Sequence, residues 1–186
     1  MRVTSFDLPG PVLFTPEPHF DARGFFTRTF DAQVAAEHGL DPTAFIQDSQ
    51  SRSSRGVVRG MHGRSGAGEG KLVRCAHGAI LDVLVDIRTG SATFGEQVSI
   101  RLDDQTFAHL YVPPGFLHGF QVLGEVADVC YRIDRAHDPS EDLAVRYDDP
   151  ELAIDWPVPV GTMSERDLSA GTFAALQILL KTRERD

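Results

Sequence analysis

Short alternating runs separated by turn residues fill the middle of the chain. The alternation is clearest over residues 79–87. There Leu81, Val83, Val85 and Ile87 fall on one face, and Ile80, Asp82, Leu84 and Asp86 on the other. A period of two marks a strand. Runs of similar character occupy 57–59, 71–75, 97–102, 109–112, 120–123 and 126–133, with polar turns such as His77-Gly78 between them. Repeated short strands at this spacing predict a mainly β fold, an antiparallel sandwich or barrel. Two patches are helical instead. Residues 31–38 carry Asp31 as a possible N-cap, and a C-terminal helix over about 169–183 has an apolar stripe of Phe173, Leu176, Leu179 and Leu180. With no internal repeat, low-complexity tract or linker, the pattern predicts one domain over residues 1–186.

Composition narrows the function classes. A chain of 186 residues that is 41% hydrophobic and 24% charged buries a core without disulfide support. No apolar run approaches the roughly 18 residues of a membrane span, and residues 1–14 lack the basic start and apolar stretch of a signal peptide. The two cysteines, Cys75 and Cys130, form no CxxC pair, so reduced thiols in the cytoplasm are expected. A net charge of −9 argues against general nucleic-acid binding. It leaves room for one small anion held by local arginines. Sixteen Arg stand against two Lys, which draws notice to Lys71 in mid-chain.

Four places carry candidate chemistry. The first is Arg59-Gly60-Met61-His62, followed by a Gly-rich stretch with glycines at 66, 68 and 70 that reads as a flexible loop leading to Lys71. Taken alone, His62 fits a surface or hydrogen-bonded structural histidine better than a catalytic one. The second is Pro114-Gly115-Phe116-Leu117-His118, the PxGxxH half of a cupin signature, in which the His points into a jelly-roll barrel. Metal-binding cupins pair that His with HxH and a nearby Glu. Here the first half reads His62-Gly63-Arg64, with Glu69 as the possible carboxylate. Arg64 has no lone pair for a cation and its fixed charge opposes one, so metal-free chemistry is expected. The third is Asp82: a buried carboxylate needs a partner, and His118 is a plausible one, unless Asp82 faces solvent on an edge strand. The fourth, Ser164-Glu165-Arg166-Asp167, reads locally as a helix start with Ser164 as N-cap and Asp167 at the capping-box position.

Taken in order, the motifs resemble the dTDP-4-dehydrorhamnose 3,5-epimerase family of nucleotide-sugar enzymes. The matching stretches include Asp21-Ala22-Arg23-Gly24-Phe25-Phe26, Phe45-Ile46-Gln47-Asp48, Ser51-Arg52-Ser53, Val58-Arg59-Gly60-Met61-His62 and Lys71-Leu72-Val73-Arg74. They continue through Asp82-Val83-Leu84-Val85-Asp86-Ile87-Arg88, Ser91-Ala92-Thr93-Phe94-Gly95, Pro114 to Phe120, Tyr131, Trp156-Pro157 and Ser164-Glu165-Arg166-Asp167. The resemblance implies a cupin-type jelly roll, a homodimer, no metal or other cofactor, and a dTDP-linked 4-keto sugar as substrate. It implies His62 as general base, Asp167 as the carboxylate that orients it, and Lys71 as the cation beside the C4 oxygen. Tyr131 would be the acid on the opposite face, with Asp82 and His118 a supporting pair. Arg23, Phe26, Gln47, Arg59, His137 and Arg166 would contact the nucleotide, its phosphates or the sugar.

The chain departs from the family at several pocket positions. Gly63 and Arg64 replace an aromatic and Gln, His137 replaces a second Tyr, Ser49 replaces an Asn, and Arg28 stands where Glu is common. The expected reaction is inversion at C3, at C5 or at both, in rhamnose or secondary-metabolite sugar assembly. Three other readings stay open on sequence: a metal-free 3,4-ketoisomerase of nucleotide sugars, a non-catalytic sugar-binding cupin, and a metal-dependent dioxygenase.

Overall fold

The computed structural model describes residues 1–183. In chain order the first elements are β1 (Arg2–Ser5), β2 (Val12–Thr15), β3 (His19–Asp21), β4 (Gly24–Phe26), α1 (Ala32–Glu37) and β5 (Gln47–Ser54). Next come β6 (Val58–Arg64), β7 (Lys71–His77), β8 (Ala79–Asp86), β9 (Gln97–Asp103), β10 (His109–Val112), β11 (Phe116–Val122) and β12 (Val126–Ile133). The chain closes with β13 (Asp142–Ala144), α2 (Glu165–Leu168) and α3 (Phe173–Arg183). One antiparallel sheet runs β1-β2-β10-β7-β12-β5, a second runs β13-β6-β11-β8-β9, and β3-β4 pair only with each other. The two large sheets interleave distant strands and face one another, which is the arrangement of a cupin-like jelly roll.

Both faces of β8 are buried. Ile80 and Leu84 join the core between the sheets with Val73, Leu110, Phe120 and Val129. Val83, Val85 and Ile87 join a second core with Met61, Leu117, Phe173 and Leu176 under α3. Asp82 shares the parity of Ile80 and Leu84, so it faces the barrel interior and is fully buried. The edge-strand alternative for Asp82 is thus overturned, since β8 lies between β11 and β9. A third cluster packs Ala35 of α1 on Phe14 and Leu72.

The strands expected at 109–112 and 126–133 form with those bounds, and β11 starts earlier than expected, at Phe116. Asp31 caps α1, its carboxylate accepting from the Gln33 and Val34 amides. The C-terminal helix begins at Phe173 rather than 169, and Leu179 of the expected stripe is 39% exposed while Phe173 and Leu176 are buried. The loop from Ser65 to Gly70 is pinned rather than free. Arg135 donates to the Gly68 carbonyl, and the Gly70 amide donates to Asp134. A Cβ on Gly68 would lie 2.7 Å from Pro114 Cβ, so close approach to the next loop, not looseness, calls for glycine there.

Gly60 sets up the site. The β6–β11 pairing shifts register between His118 and Phe120, opposing them to His62 and Arg59, so β6 carries one extra residue. His62 and Arg59 are three apart and would otherwise face opposite ways; the bulge turns both inward. Gly60 adopts φ +130°, and a Cβ there would lie 2.6 Å from Gly119 Cα. A buried glutamine then brings in the tail. Gln121 donates from Nε2 to the Val158 carbonyl at 2.8 Å and accepts from the Val158 amide at 3.2 Å. With the Gly161 amide bonded to the Gly56 carbonyl, this lays residues 158–163 across the barrel mouth toward α2.

Candidate active site

A cavity of about 930 Å³ opens between the sheets, within the size range of small-molecule and cofactor sites. His62, Lys71, Tyr131, His118 and Asp167 line it, and so do Gln47, Arg59, His137 and Arg166. The structure does not bring Arg23 and Phe26 there. Both sit on the β3–β4 hairpin, where the Arg23 side chain is 90% exposed on Asp21 and Phe26 is 72% exposed. The hairpin pairs with neither large sheet, and none of its residues lines the cavity.

His62 and Asp167 lie 105 residues apart in sequence, and their Nε2 and Oδ1 atoms are 2.6 Å apart. Ser164 does cap α2, accepting from the Asp167 amide. The Asp167 side chain does not complete the capping box. It turns to His62 and to the Gly60 amide. Burial pushes the Asp167 carboxyl upward, but the His62 bond and charge, with Gly60 and Ser164, outweigh it and hold it below the usual range. With Asp167 ionised, His62 Nε2 donates, which leaves Nδ1 as the accepting nitrogen.

His118 and Asp82 form a second pair, Nε2 to Oδ2 at 2.9 Å, both buried. Asp82 Oδ1 has no hydrogen-bond partner among the described residues. Tyr131 approaches from β12 in the facing sheet, its hydroxyl 3.2 Å from Ser51 Oγ. Burial pushes this phenol well above its ordinary value, and the Ser51 bond only partly offsets it. The base candidate and the acid candidate therefore stand on opposite walls of one cavity.

Lys71 ends in an ion pair with Glu69 at 2.7 Å. The other Glu69 oxygen accepts from Arg64 Nε at 2.8 Å. Both oxygens being held by cations, Glu69 is not the open carboxylate ligand that the metal alternative needed, and among the described residues no three His, Cys, Asp or Glu are grouped to hold a metal ion. Arg64 also reaches Asp142 at 3.0 Å, and Asp142 binds Arg166 at 2.8 Å and His137 at 3.4 Å. Sequence reasoning missed Asp142, and it placed Ser51 in a matching stretch without giving it a role. Ser51 had a signal: Gln47, Ser49, Ser51 and Ser53 alternate along β5. Asp142 had none, because its role depends on β13 pairing with β6.

A cavity with a carboxylate-oriented imidazole facing a protonated phenol is suited to moving protons, and a jelly roll organised around it is an acid–base enzyme of the cupin class. The family model described as dTDP-4-dehydrorhamnose 3,5-epimerase matches residues 5–175. The chain belongs to that family. It is 39% identical over 175 residues to the dTDP-4-dehydrorhamnose 3,5-epimerase of Pseudomonas aeruginosa, covering 94% of this chain and 97% of the relative. It is also 39% identical over 171 residues to a dTDP-4-dehydrorhamnose 3-epimerase of Streptomyces niveus, covering 91% and 83%. Among solved structures, a 4-keto-6-deoxy sugar epimerase from the novobiocin gene cluster of Streptomyces spheroides superposes with a TM-score of 0.92. It is 38% identical, and the match covers 97% of this chain and 92% of that one.

Proposed function

We propose that this protein epimerises a dTDP-4-keto-6-deoxyhexose next to its ketone, at C3, at C5 or at both, in deoxysugar assembly. The observation that carries the reading is the His62–Asp167 pair facing Tyr131 across one cavity. His62 Nδ1 takes the proton from the carbon beside the C4 ketone, and the electron pair moves onto the C4 oxygen. Asp167 stabilises the imidazolium as it forms. The Lys71 ammonium meets the developing oxyanion, an interaction that strengthens along the reaction and so lowers the barrier. Tyr131, a phenol already protonated at neutral pH and pushed further up by burial, returns a proton to the other face. Asp82 and His118 brace the wall beside the sugar. Gln47, Arg59, His137 and Arg166 hold the nucleotide, its diphosphate and the sugar.

The protein works as a homodimer. Phe20, Phe25 and Phe26 on the hairpin are 71, 54 and 72% exposed, an apolar patch suited to a second copy, and a partner cavity is where Arg23 and Phe26 would reach substrate. The chain is a single domain, its two larger cores sharing β8. The free thiols Cys75 and Cys130 fit a reducing cytoplasm, and neither nucleic acid nor membrane is a partner.

The test is solvent exchange. The substrate is incubated with the protein in D₂O and followed by NMR, which reports label at C3, C5 or both. No enzyme-dependent label at either carbon defeats the reading, and a product with its keto group moved to C3 replaces it with the ketoisomerase.

A further inference from the structure

Arg64, Glu69 and Lys71 form a chain of three ionised side chains that are only 8, 8 and 13% exposed. A charge removed from water is costly unless paired and hydrogen-bonded, so none of the three is free to leave the others. Glu69 is the shared member, with Oε1 on Lys71 and Oε2 on Arg64. Arg64 is anchored independently, since its Nη1 also donates to the Asp138 carbonyl at 2.6 Å and pairs with Asp142 at 3.0 Å. Asp142 is in turn fixed by Arg166. The backbone supports the same geometry: the Gly70 amide donates to Asp134 and Arg135 holds the Gly68 carbonyl, so the peptide carrying Glu69 is tied on both sides. An ammonium has three N–H donors. With one on Glu69, two remain for the cavity.

We infer that Glu69 and Arg64 are positioning residues for Lys71: Arg64 fixes the Glu69 carboxylate, and Glu69 fixes the ammonium that meets the C4 oxygen. The inference rests on the role proposed above for Lys71. Lysine is a compact charge on a flexible stem, and a misplacement of about 1 Å at a reacting group can cost about 10²-fold in rate. Glu69 removes that freedom. Without Arg64 the carboxylate would swing with the ammonium instead of fixing it.

The experiment compares Glu69→Gln, Arg64→Gln and the double variant by kcat and KM for epimerisation, by dTDP titration and by thermal melting. Glu69→Gln is expected to lower kcat by about 10–10²-fold, with KM and dTDP affinity within about threefold of wild type. Arg64→Gln is expected to lower kcat less, and the double variant to match Glu69→Gln, since Arg64 reaches Lys71 only through Glu69. A merely structural role would lower melting temperature, dTDP affinity and kcat together, and that result overturns the inference. So does a wild-type kcat in Glu69→Gln, or a double variant whose loss is the product of the two single losses. Should Glu69→Gln not fold, Arg64→Gln decides alone: a lower kcat at unchanged dTDP affinity supports the chain, and an unchanged kcat overturns it. A wild-type protein that exchanges nothing defeats the epimerase reading instead, so the two failures are distinguishable.

Discussion

Replacing Asp167 by Asn tests how much of the rate comes from one carboxylate. In the resting enzyme His62 donates to Asp167 at 2.6 Å, and an Asn oxygen still accepts that bond. What Asn lacks is the charge that stabilises the imidazolium formed when His62 takes the proton. At a charge separation of about 4 Å and an effective dielectric of about 20, that attraction is about 4 kcal/mol. Converted at about 1.4 kcal/mol per tenfold, it corresponds to roughly 10³ in rate. Because the retained hydrogen bond recovers part of this, the expected loss in kcat is about 10²–10³-fold, with KM little changed. The assay is deuterium uptake from D₂O, run beside a dTDP titration and a thermal melt. The fold has its own supports at this point, since the Asp167 amide still donates to Ser164. The pH dependence has a definite sign. The Asp167 carboxyl is held below its ordinary value, so its stabilising contribution is complete above the unfolded pKa of about 3.9 and fades as pH falls through the folded value. The stability difference between wild type and variant should therefore be present at pH 7 and close in acid. A variant whose kcat stays within threefold of wild type while binding dTDP normally would refute the base assignment.

Two further predictions concern the outer face of the larger sheet and the hairpin. Burial, with Arg74 and Arg132 nearby, pushes the His109 imidazole down to about 3, so unfolding takes up a proton below the ordinary His value near 6.5 and wild-type stability falls as pH drops. Between pH 7 and 5 this amounts to about 2 kcal/mol; urea titrations should show His109→Leu losing that much less, and equal acid sensitivity in both proteins would contradict it. Serine at both Phe20 and Phe26 should convert a dimer to a monomer by light scattering, and a wild type already monomeric at working concentration would sink the dimer.

Legibility in the sequence followed burial. Strands with a buried apolar parity, such as β8, β10 and β12, were readable because their alternation is apolar. β5 was not, since Gln47 to Ser54 contains no apolar residue; it is an edge strand whose inner face lines a polar cavity, so packing left no mark on it. β13 is three residues long and owes its existence to pairing with β6. The sequence leaves Asp82 facing either a partner or solvent, and the choice depends on strand order, which is a long-range property. The Asp86–Thr93 motif proved to be structural. The Asp86 carboxylate accepts from Arg88, Ser91 and Thr93 at the end of β8. The union of His62 with Asp167 was visible only through family resemblance, because it depends on the Gly60 bulge and the Gln121 brace. Locally, Asp167 looks like an ordinary capping residue, and half of that reading holds.

The electrostatics of the cavity resolve an apparent conflict between an acidic chain and an anionic substrate. The chain carries a net charge of −9, but in salt that field is screened over about 8–10 Å, so what the ligand meets is local. Arg52, Arg59, Arg64, Lys71 and Arg166 line the cavity against Glu69, Asp142 and Asp167, but a cation already paired with a carboxylate offers little to an incoming anion. The cations are not equivalent. Arg52 is engaged by Asp128, Arg64 and Lys71 by Glu69, and Arg166 by Asp142. Arg59 donates only to the Ser53 hydroxyl, at 3.0 Å, with no carboxylate partner among the described residues. A guanidinium held by a neutral acceptor keeps most of its fork for an incoming anion. Arg59 is therefore the side chain on which the diphosphate reading turns, and it faces the cavity only because Gly60 inserts one extra residue into β6.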